Sequence, residues 1–302
     1  MSAYAIITPI RNEAETLARL VGTVAAQTWL PDTWLLVENG STDGTPDVAR
    51  ELIREHPWIR LVEAPAREHR ERGAPIVEAF HLGLAELGQL PDAVAQLDAD
   101  ITLATDYFER LGGELSGDER LGIVSGTCYE LVGDEWTERY ATGTYVWGAA
   151  RLYRGSCLEQ VLPLEPRTGW DAIDVAEANA LGWTTAIFPD LPFYHHRPEG
   201  SRERTQWSSW AAQGRVSHFL GYRPSYLVVR ALFRAPREPA ALGLVAGYGG
   251  SMLRRSPTCP RPEVRAWVRE QQRLRHLVTR ASEARGRDRE DVPQGARPGP
   301  PR

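Results

Sequence analysis

The sequence of 302 residues contains no lysine, and all 35 of its basic residues are arginine. This absence excludes mechanisms that need a lysine as Schiff-base nucleophile or as phosphate ligand. The three cysteines are widely spaced, which predicts neither a disulfide framework nor a zinc cluster. The formal net charge of -5 argues against a general nucleic-acid binder, because such proteins carry a strongly basic domain.

Long apolar runs are also missing. The longest candidate, residues 240–253, has 14 residues, whereas a membrane-spanning helix needs about 20. The chain starts with a strand-like run and no basic region, so we predict no signal peptide and a cytoplasmic location. Residues 197–237 contain eight arginines and two acids. The apolar and arginine-rich segments after about residue 205 have two possible interpretations. They form helices that pack on the domain, or they make a peripheral contact with the inner face of the plasma membrane.

Short β-rich runs alternate with helical patterns through the first hundred residues. This alternation predicts an α/β fold, in which a mostly parallel central sheet is flanked by helices. Asn12 is a candidate N-cap for the first helix. The strand candidates are 4–8, 34–38, 59–63 and 93–97, and the helix candidates between them are 17–24, 46–55 and 76–87.

The character of the sequence changes in its last third, where arginine-flanked apolar segments replace the alternation. We therefore predict an α/β domain over residues 1–220 and an amphipathic helical extension over 221–282. The polar, proline-rich residues 283–302 are predicted to be a disordered tail.

Three polar segments, 9–13, 38–43 and 98–100, each follow a predicted strand. Ligands of parallel sheets bind where the carboxyl ends of the strands meet, so we expect these segments to share one rim. Asp98 and Asp100 are like charges one residue apart, and such oxygen ligands suit Mg²⁺ or Mn²⁺. Taken alone, the pair is also compatible with a solvated surface loop.

The segment VENGSTDGT, residues 37–45, permits a tight turn and offers hydroxyl and amide groups. One interpretation is a simple strand-to-helix turn. The other is part of a nucleotide pocket, in which Asn39 presents both a donor and an acceptor to a base edge.

Four segments in order, TPIRNEAETL, VENGSTDGT, RGAPIVEAFHLGL and LDADI, resemble the family 2 glycosyltransferases. The resemblance covers about residues 4–220 and implies the GT-A fold. It also implies transfer of a sugar from a nucleoside-diphosphate sugar to an acceptor hydroxyl, with Mn²⁺ or Mg²⁺ as cofactor. Carried over residue by residue, it assigns the nucleotide sugar to Pro9, Arg11, Glu13, Asn39, Ser41, Gly73 and Asp98, and the metal to Asp100.

The segment GWDAIDVAEANALGW resembles the acidic segment of the same family, in which an Asp lies eleven residues before a Gly, as Asp171 lies before Gly182. The resemblance makes Asp171 the catalytic base of an inverting transfer, and Asp174 is the alternative one helical turn away. In the same register His195 or His196 supplies an imidazole to the metal, and His195 fits slightly better. Arg197, Arg202 and Arg204 follow in a loop, and two interpretations are open for them: the loop closes over the diphosphate, or the three side chains are solvated at the surface.

The segment QWSSWAAQGR is only weakly similar to the Gln-x-x-Arg-Trp motif of processive synthases, and its order differs. We therefore expect a bacterial, non-processive enzyme that adds one sugar to an envelope polysaccharide, a glycolipid or a secondary metabolite, with no nucleic-acid partner. Two other classes stay open: a sugar-phosphate nucleotidyltransferase, and a catalytically silent scaffold that binds a nucleotide sugar.

Overall fold

The computed structural model describes residues 1–65, 73–139, 144–197 and 205–273. The chain divides into two compact units. The first contains the described residues up to 197, and the second contains residues 205–273.

Within the described residues, nine strands of the first unit form a single sheet in the order β3-β2-β1-β4-β8-β6-β9-β5, with β7 on β6. The strands β1 to β4 pair in parallel, whereas β8 runs antiparallel to both of its neighbours. The strands are β1 Tyr4–Ile10, β2 Thr33–Glu38, β3 Ile59–Glu63, β4 Ala93–Leu97, β5 Ile101–Leu103, β6 Leu121–Val132, β7 Glu135–Glu138, β8 Ala150–Arg154 and β9 Thr184–His195.

Helices cover both faces of this sheet, so successive residues of its central strands enter different cores. Ile6 of β1 lies in one apolar cluster, and Ile7 lies in the other. This explains why the central strands are apolar throughout instead of alternating with polar residues. The helices are α1 Leu17–Ala25, α2 Thr45–Glu55, α3 Ala74–Leu87, α4 Tyr107–Gly117, α5 Gly155–Val161 and α6 Trp170–Ala180.

The predicted α/β fold is confirmed, and β1 to β4 and α1 to α3 match the predicted segments closely. The prediction that Asn12 caps α1 is wrong, because the helix begins at Leu17 behind Thr16. Asn12 instead has a φ of 56°, and its side-chain oxygen accepts the backbone N–H of Thr42 at 2.8 Å. Asn tolerates this left-handed conformation better than most residues do.

The second unit is helical. Its helices α7 and α9 approach closely because glycines face the partner backbone: a Cβ on Gly214 would lie 2.8 Å from the backbone nitrogen of Tyr248, and one on Gly243 would lie 2.8 Å from the carbonyl oxygen of Trp207. A small apolar core around Trp210 joins them. The elements are α7 Gln206–Phe219, α8 Pro224–Arg234, a short 3-10 turn Pro239–Leu242, α9 Gly243–Leu253 and α10 Pro262–Glu270.

The boundary between the units differs from the predicted one. The predicted domain 1–220 includes α7, whereas in the structure this helix belongs to the second unit. Among the described residues, no helix combines the length and the apolarity that crossing a bilayer requires. The predicted tail 283–302 lies outside the described residues.

Candidate active site

The carboxyl ends of the central strands place the predicted polar segments on one rim. In the parallel pair β1 and β2, Ile10 lies opposite Glu38, so both strands end at the same level. Asp98 and Asp100 follow β4, and β5 then pairs with β9 so that Ile101 lies opposite His195. The backbone N–H of His196 donates to the carbonyl of Asp100 at 2.9 Å. Segments almost one hundred residues apart therefore meet at the two aspartates.

The carboxylates of Asp98 and Asp100 and the imidazole of His195 form one cluster. One ligand atom from each lies within 4.8 Å of the others. His195 Nε2 is 3.2 Å from Asp100 Oδ1, and both side chains are largely buried. Two carboxylates and one imidazole are the donor set that suits Mn²⁺ or Mg²⁺, with room for substrate phosphates in the remaining positions. The residues therefore fit the predicted metal.

A second group of potential ligands shares His195. Cys128 and Glu130, both buried, offer ligand atoms within 4.8 Å of one another and of the imidazole. This set contains a thiol, which suits softer ions, whereas the set with Asp98 and Asp100 provides hard oxygens.

Arg197 adds a positive charge to the rim. Its Nε donates to Asp100 Oδ2 at 2.6 Å, and its NH2 group donates to the carboxylate of Glu13. Glu13 is buried, and its backbone N–H donates to Thr45 Oγ1 at 2.7 Å. One guanidinium thus joins the loop after β1 to the aspartate pair. Arg202 and Arg204, which we predicted in the same loop, lie outside the described residues.

The pKa values of the two aspartates are shifted in opposite directions. Burial, followed by the charge of Asp100, raises the pKa of Asp98 to about 6. Burial would also raise the pKa of Asp100, but the hydrogen bond and charge of His195 and the charge of Arg197 outweigh it and lower that pKa to about 2. For His195, burial lowers the pKa, and the hydrogen bond and charge of Asp100 more than compensate and raise it. Asp98 is therefore the carboxylate whose ionisation a bound cation would favour most.

The two adjacent histidines point to different surroundings. His196 Nε2 lies 2.7 Å from Thr102 Oγ1, and its ring meets the edge of the Trp136 ring at 5.2 Å. Burial, followed by the charge of Arg19, lowers its pKa. Among the described residues, His196 belongs to neither group of potential metal ligands. The prediction of an imidazole ligand therefore narrows to His195.

Hydrogen bonds tie the loops after β1 and β2 to each other. The backbone N–H of Asn12 donates to Ser41 Oγ at 3.1 Å. The backbone N–H of Asn39 donates to the carbonyl of Ile10 at 3.0 Å, and its side-chain amide donates to the carbonyl of Pro75 at 3.3 Å. The predicted pocket residues Ser41 and Asn39 are thus held at the rim, and the half-buried Pro9 and Arg11 lie at the end of β1 beside them.

Gly73 is the N-cap residue that precedes α3, and its φ is 81°. A Cβ at this position would lie 2.8 Å from the carbonyl carbon of Arg167 and 3.0 Å from Cα of Thr168, so only glycine fits without a shift of backbone. This explains why the sequence has glycine here, and it brings the start of α3 against the loop before α6. Arg72, the first residue of the corresponding segment, lies outside the described residues.

Asp171 lies in the first turn of α6, half-buried, with Oδ2 accepting the hydroxyl of Tyr145 at 3.0 Å. It is linked to the aspartate pair through a short segment of backbone. A Cβ on Gly148 would lie 3.2 Å from Asp171 Oδ2, and the carbonyl of the next residue, Ala149, accepts the N–H of Asp98 at 2.8 Å. Asp171 therefore flanks the same rim from the other side of residues 148–149.

Asp174, the alternative base, faces away from solvent. It is buried, and its Oδ2 accepts Arg151 NH1 at 2.6 Å and the hydroxyl of Tyr153. Its Oδ1 accepts the backbone N–H of Val175 at 2.6 Å. A base must reach the proton that it removes, so this placement opposes the prediction for Asp174 and leaves Asp171 as the candidate.

Sequence reasoning overlooked Arg151, which organises this half of the site. Its guanidinium is fully buried and donates to the carbonyls of Val146 at 2.6 Å, Trp147 at 3.1 Å and Asp171 at 3.2 Å. It thereby fixes the first turn of α6 against the loop before β8. The sequence signal for Arg151 is its position between apolar residues of a strand. An arginine at such a position is rarely buried unless it is paired, so the signal predicts a buried acidic partner.

Solved structures share the overall fold of this chain. The mannosyltransferase PcManGT from Pyrobaculum calidifontis, in complex with GDP-Man and Mn²⁺, is similar over 93% of this chain and 86% of that one, with a TM-score of 0.56 and 17% identity. GalNAc-T7 with UDP, GalNAc and Mn²⁺ is similar over 92% of this chain and 57% of that one, with a TM-score of 0.60 and 13% identity. The fold is the GT-A fold of glycosyltransferases.

Sequence comparison specifies the family. Residues 5–163 match the model of "Glycosyl transferase family 2", and the chain belongs to that family. The succinoglycan biosynthesis protein ExoA of Rhizobium meliloti (strain 1021) is 33% identical over 107 residues, 35% of this chain and 30% of that protein. The glycosyltransferase AglE of Haloferax volcanii is 26% identical over 140 residues, 46% and 40% of the two chains. The alignments thus span less than half of either relative.

Proposed function

We propose that this protein is a metal-dependent, inverting glycosyltransferase that transfers one sugar from a nucleoside-diphosphate sugar to an acceptor hydroxyl. The observation that carries the proposal is the convergence of Asp98, Asp100 and His195 at the rim, with Asp171 on the other side of residues 148–149. Family membership and the GT-A fold support the same reaction class.

We assign the donor's nucleotide to the part of the rim formed by the loops after β1 and β2. Asn39 and Ser41 are fixed there by hydrogen bonds to neighbouring backbone, so they offer preorganised polar groups. Pro9 and Arg11 extend the same wall. Gly73 precedes the first turn of α3, where the carbonyl of Pro75 accepts the side-chain amide of Asn39. We assign the base and the ribose to this wall. Asp98 would lie near the ribose and the transferred sugar.

Asp98, Asp100 and His195 would hold Mn²⁺ or Mg²⁺, and the bound cation would stabilise the charge that develops on the leaving diphosphate. The residues have complementary tasks. Asp100 keeps its negative charge near neutral pH, because its pKa is about 2. Its hydrogen bond to His195 keeps the imidazole at the carboxylates. The neighbouring Arg197 can exchange its contact with Asp100 for one with a phosphate oxygen.

We propose Asp171 as the general base. In an inverting transfer the acceptor oxygen attacks the anomeric carbon from the face opposite the diphosphate, and its proton passes to a base on that face. Asp171 is half-buried, and Tyr145 donates a hydrogen bond to one carboxylate oxygen, so the other is left to accept the proton. Arg151 holds the backbone of Asp171 and so positions the base without contacting the substrate.

The acceptor that we propose is a hydroxyl of a growing glycan, either free or linked to a lipid. The relative named for succinoglycan biosynthesis supports a glycan acceptor. Transfer of a single sugar rests on the segment QWSSWAAQGR, which is only weakly similar to the processive motif and differs from it in order.

A donor panel tests the proposal. Purified protein is incubated with UDP-, GDP-, dTDP- and CDP-sugars and oligosaccharide acceptors, with Mn²⁺ or with EDTA. We expect release of a nucleoside diphosphate that depends on Mn²⁺ and on the acceptor. Release of pyrophosphate in a parallel incubation with nucleoside triphosphates and sugar 1-phosphates would indicate a nucleotidyltransferase instead. Donor binding without any turnover would indicate a silent scaffold.

Two variants separate donor binding from transfer. Asp100→Ala should abolish metal-dependent donor binding, measured by calorimetry, because it removes a proposed ligand. Asp190→Ala is the matched control, since Asp190 is an exposed carboxylate that pairs with Arg110 away from the rim. Equal loss in both variants would contradict the proposed metal site.

A further inference from the structure

The outer face of α8 is apolar. Four large side chains, Val228, Val229, Leu232 and Phe233, are exposed along it, with Leu232 and Phe233 more than half exposed. Their spacing of one, four and five residues places them on one side of the helix, whereas Leu227 and Ala231 face the small core. The helix is therefore apolar on both sides, although a helix on a water-exposed surface normally has a polar outer face.

The same pattern recurs in the next helix. Leu242, Val245, Met252 and Leu253 are exposed along α9 and the turn before it, and Leu253 is 84% exposed. The opposite side of α9 carries Leu244, Gly243 and Gly247, which are buried against α7. Eight of the twelve large apolar side chains that are exposed in the described residues thus lie on α8, on α9 and on the turn between them. Scattered exposed apolar residues need no explanation, but a concentration of this kind marks a contact surface.

Positive charge surrounds this apolar surface. Residues 205–273 contain eleven arginines and three glutamates and no aspartate, a formal charge of +8, although the whole chain carries -5. The rest of the chain therefore carries -13. Arg237 follows the end of α8, and Arg254 and Arg255 follow the end of α9, all three exposed. Apolar stripes with arginines at their ends match a bilayer, in which anionic headgroups lie beside acyl chains.

We propose that the outer faces of α8 and α9 form a peripheral membrane surface that binds anionic lipid bilayers. The helices lie in the headgroup region and do not cross it. A helix of 11 residues is about 16 Å long, whereas the hydrocarbon layer is about 30 Å thick. Val229, Leu232 and Phe233 enter the acyl boundary, and the arginines contact phosphates.

A second copy of the chain fits this surface less well. A symmetric dimer through α8 and α9 would bring two clusters of positive charge together, and like charges at an interface oppose association. An anionic bilayer supplies the complementary charge. The inference is independent of the proposed transfer reaction, and its test uses no substrate.

Flotation with lipid vesicles tests the surface. The full chain is mixed with vesicles of phosphatidylcholine, with or without phosphatidylglycerol, and centrifuged through a density gradient. We expect the chain to float with the anionic vesicles and about tenfold less with the neutral ones, and added salt should reduce the bound fraction. No flotation with anionic vesicles at low salt would overturn the proposal.

The double variant Leu232→Glu/Phe233→Glu should lower anionic-vesicle partitioning by about tenfold or more, because it removes two inserted side chains and adds repelled charge. Leu30→Glu/Leu181→Glu is the matched control. Both of those residues are 46% exposed and lie in the first unit, so the control adds the same charge elsewhere. Equal loss in both variants would contradict the assignment to α8. Far-ultraviolet circular dichroism and thermal unfolding verify that both variants are folded.

A third variant, Arg237→Gln/Arg254→Gln, isolates the electrostatic contribution. It should weaken binding to anionic vesicles several-fold and leave any residual binding to neutral vesicles unchanged. Sedimentation velocity of the unmodified chain checks the competing occupant. A concentration-dependent dimer that Leu232→Glu/Phe233→Glu abolishes, together with absent flotation, would assign the surface to a second copy.

Discussion

Two clusters of carboxylate and guanidinium groups lie in the first unit, and they differ in how completely their charges are satisfied. In the buried cluster, Arg151 and Asp174 are at most 1% exposed, and their hydrogen bonds are made to each other, to Tyr153 and to backbone. In the rim cluster, Glu13 and Asp100 share Arg197, whose side chain is 36% exposed, and Asp98 lies beside Asp100. In the buried cluster the charged groups are satisfied by one another and by backbone. The rim cluster has more carboxylates than positively charged groups, and solvent reaches it.

From this difference we infer which charged groups stabilise the fold and which can bind a ligand. A buried ion pair that uses all of its donors and acceptors has no capacity left for a ligand, and it fixes the chain in one arrangement. A partly open cluster with surplus carboxylates has a capacity for a cation, and the raised pKa of Asp98 reflects its unfavourable charge. Arg151 connects the two, because it pairs with Asp174 and also donates to the carbonyl of Asp171.

The largest expected effect distinguishes the two aspartates of α6. Asp171→Asn should lower kcat by about 10² to 10⁴ while the donor Kd is unchanged, because it removes a proton acceptor and preserves shape. Asp174→Asn should instead lower the free energy of unfolding, because it leaves Arg151 buried without its counter-charge. Single-turnover kinetics and urea unfolding measure the two. A reversed outcome, in which only Asp174→Asn lost transfer, would move the base to Asp174.

The next effect concerns the buried cluster itself. Arg151→Met should reduce the free energy of unfolding by about 3–5 kcal/mol, because Asp174 is then a buried charge without a partner. The control is Arg50→Met, which breaks an exposed pair with Asp47 and should change stability by less than about 1 kcal/mol. Replacing both members, as in Arg151→Met/Asp174→Leu, should recover part of the loss. Urea-induced unfolding gives all three values, and a small loss in Arg151→Met would show that the pair is not essential to the fold.

A smaller effect separates the adjacent histidines of the rim. His195→Ala should weaken Mn²⁺ binding by about 10- to 100-fold, because it removes an imidazole beside Asp100. His196→Ala should change Mn²⁺ affinity much less, since that ring contacts Thr102 and Trp136 instead. Isothermal titration with Mn²⁺ in the absence of donor compares them directly. A stronger loss in His196→Ala would reassign the ligand.

The parallel half of the fold was predictable because several signals agreed there. The apolar runs of β1 to β4 alternate with helical patterns, and each strand ends at a polar segment, so the rim follows from the topology. The roles of Asp98 and Asp100 could be stated only as a resemblance, because a D-x-D pattern alone does not indicate what approaches it. The residue that approaches the two aspartates, His195, comes from β9, almost one hundred residues later in the chain.

The later half could not be read in the same way. The strand β9 continues through Pro189 and Pro192 to His195, although proline rarely continues a strand. It can do so because the register against β6 shifts between Gly126 and Thr127, where the pairing passes from Phe188 to Pro192. Had that strand been recognised, its two-residue period would have placed His195 and His196 on opposite faces. The pairing of Arg151 with Asp174 joins residues 23 apart and leaves no periodic signal.

The smallest expected effect concerns Arg197. Its guanidinium pairs with carboxylates at the rim, as that of Arg151 does in the buried cluster. In Arg197→Gln, Mn²⁺ alone should bind a few-fold more tightly, because Asp100 and Glu13 lose a competing positive charge worth about 1 kcal/mol. The nucleoside diphosphate product should bind several-fold more weakly in the presence of Mn²⁺, because its phosphates lose the guanidinium. Arg110→Gln, at an exposed pair with Asp190, is the control and should alter neither. Opposite changes in the two affinities would show that Arg197 is an exchangeable counter-charge. A parallel loss of both would show instead that it is a structural partner like Arg151.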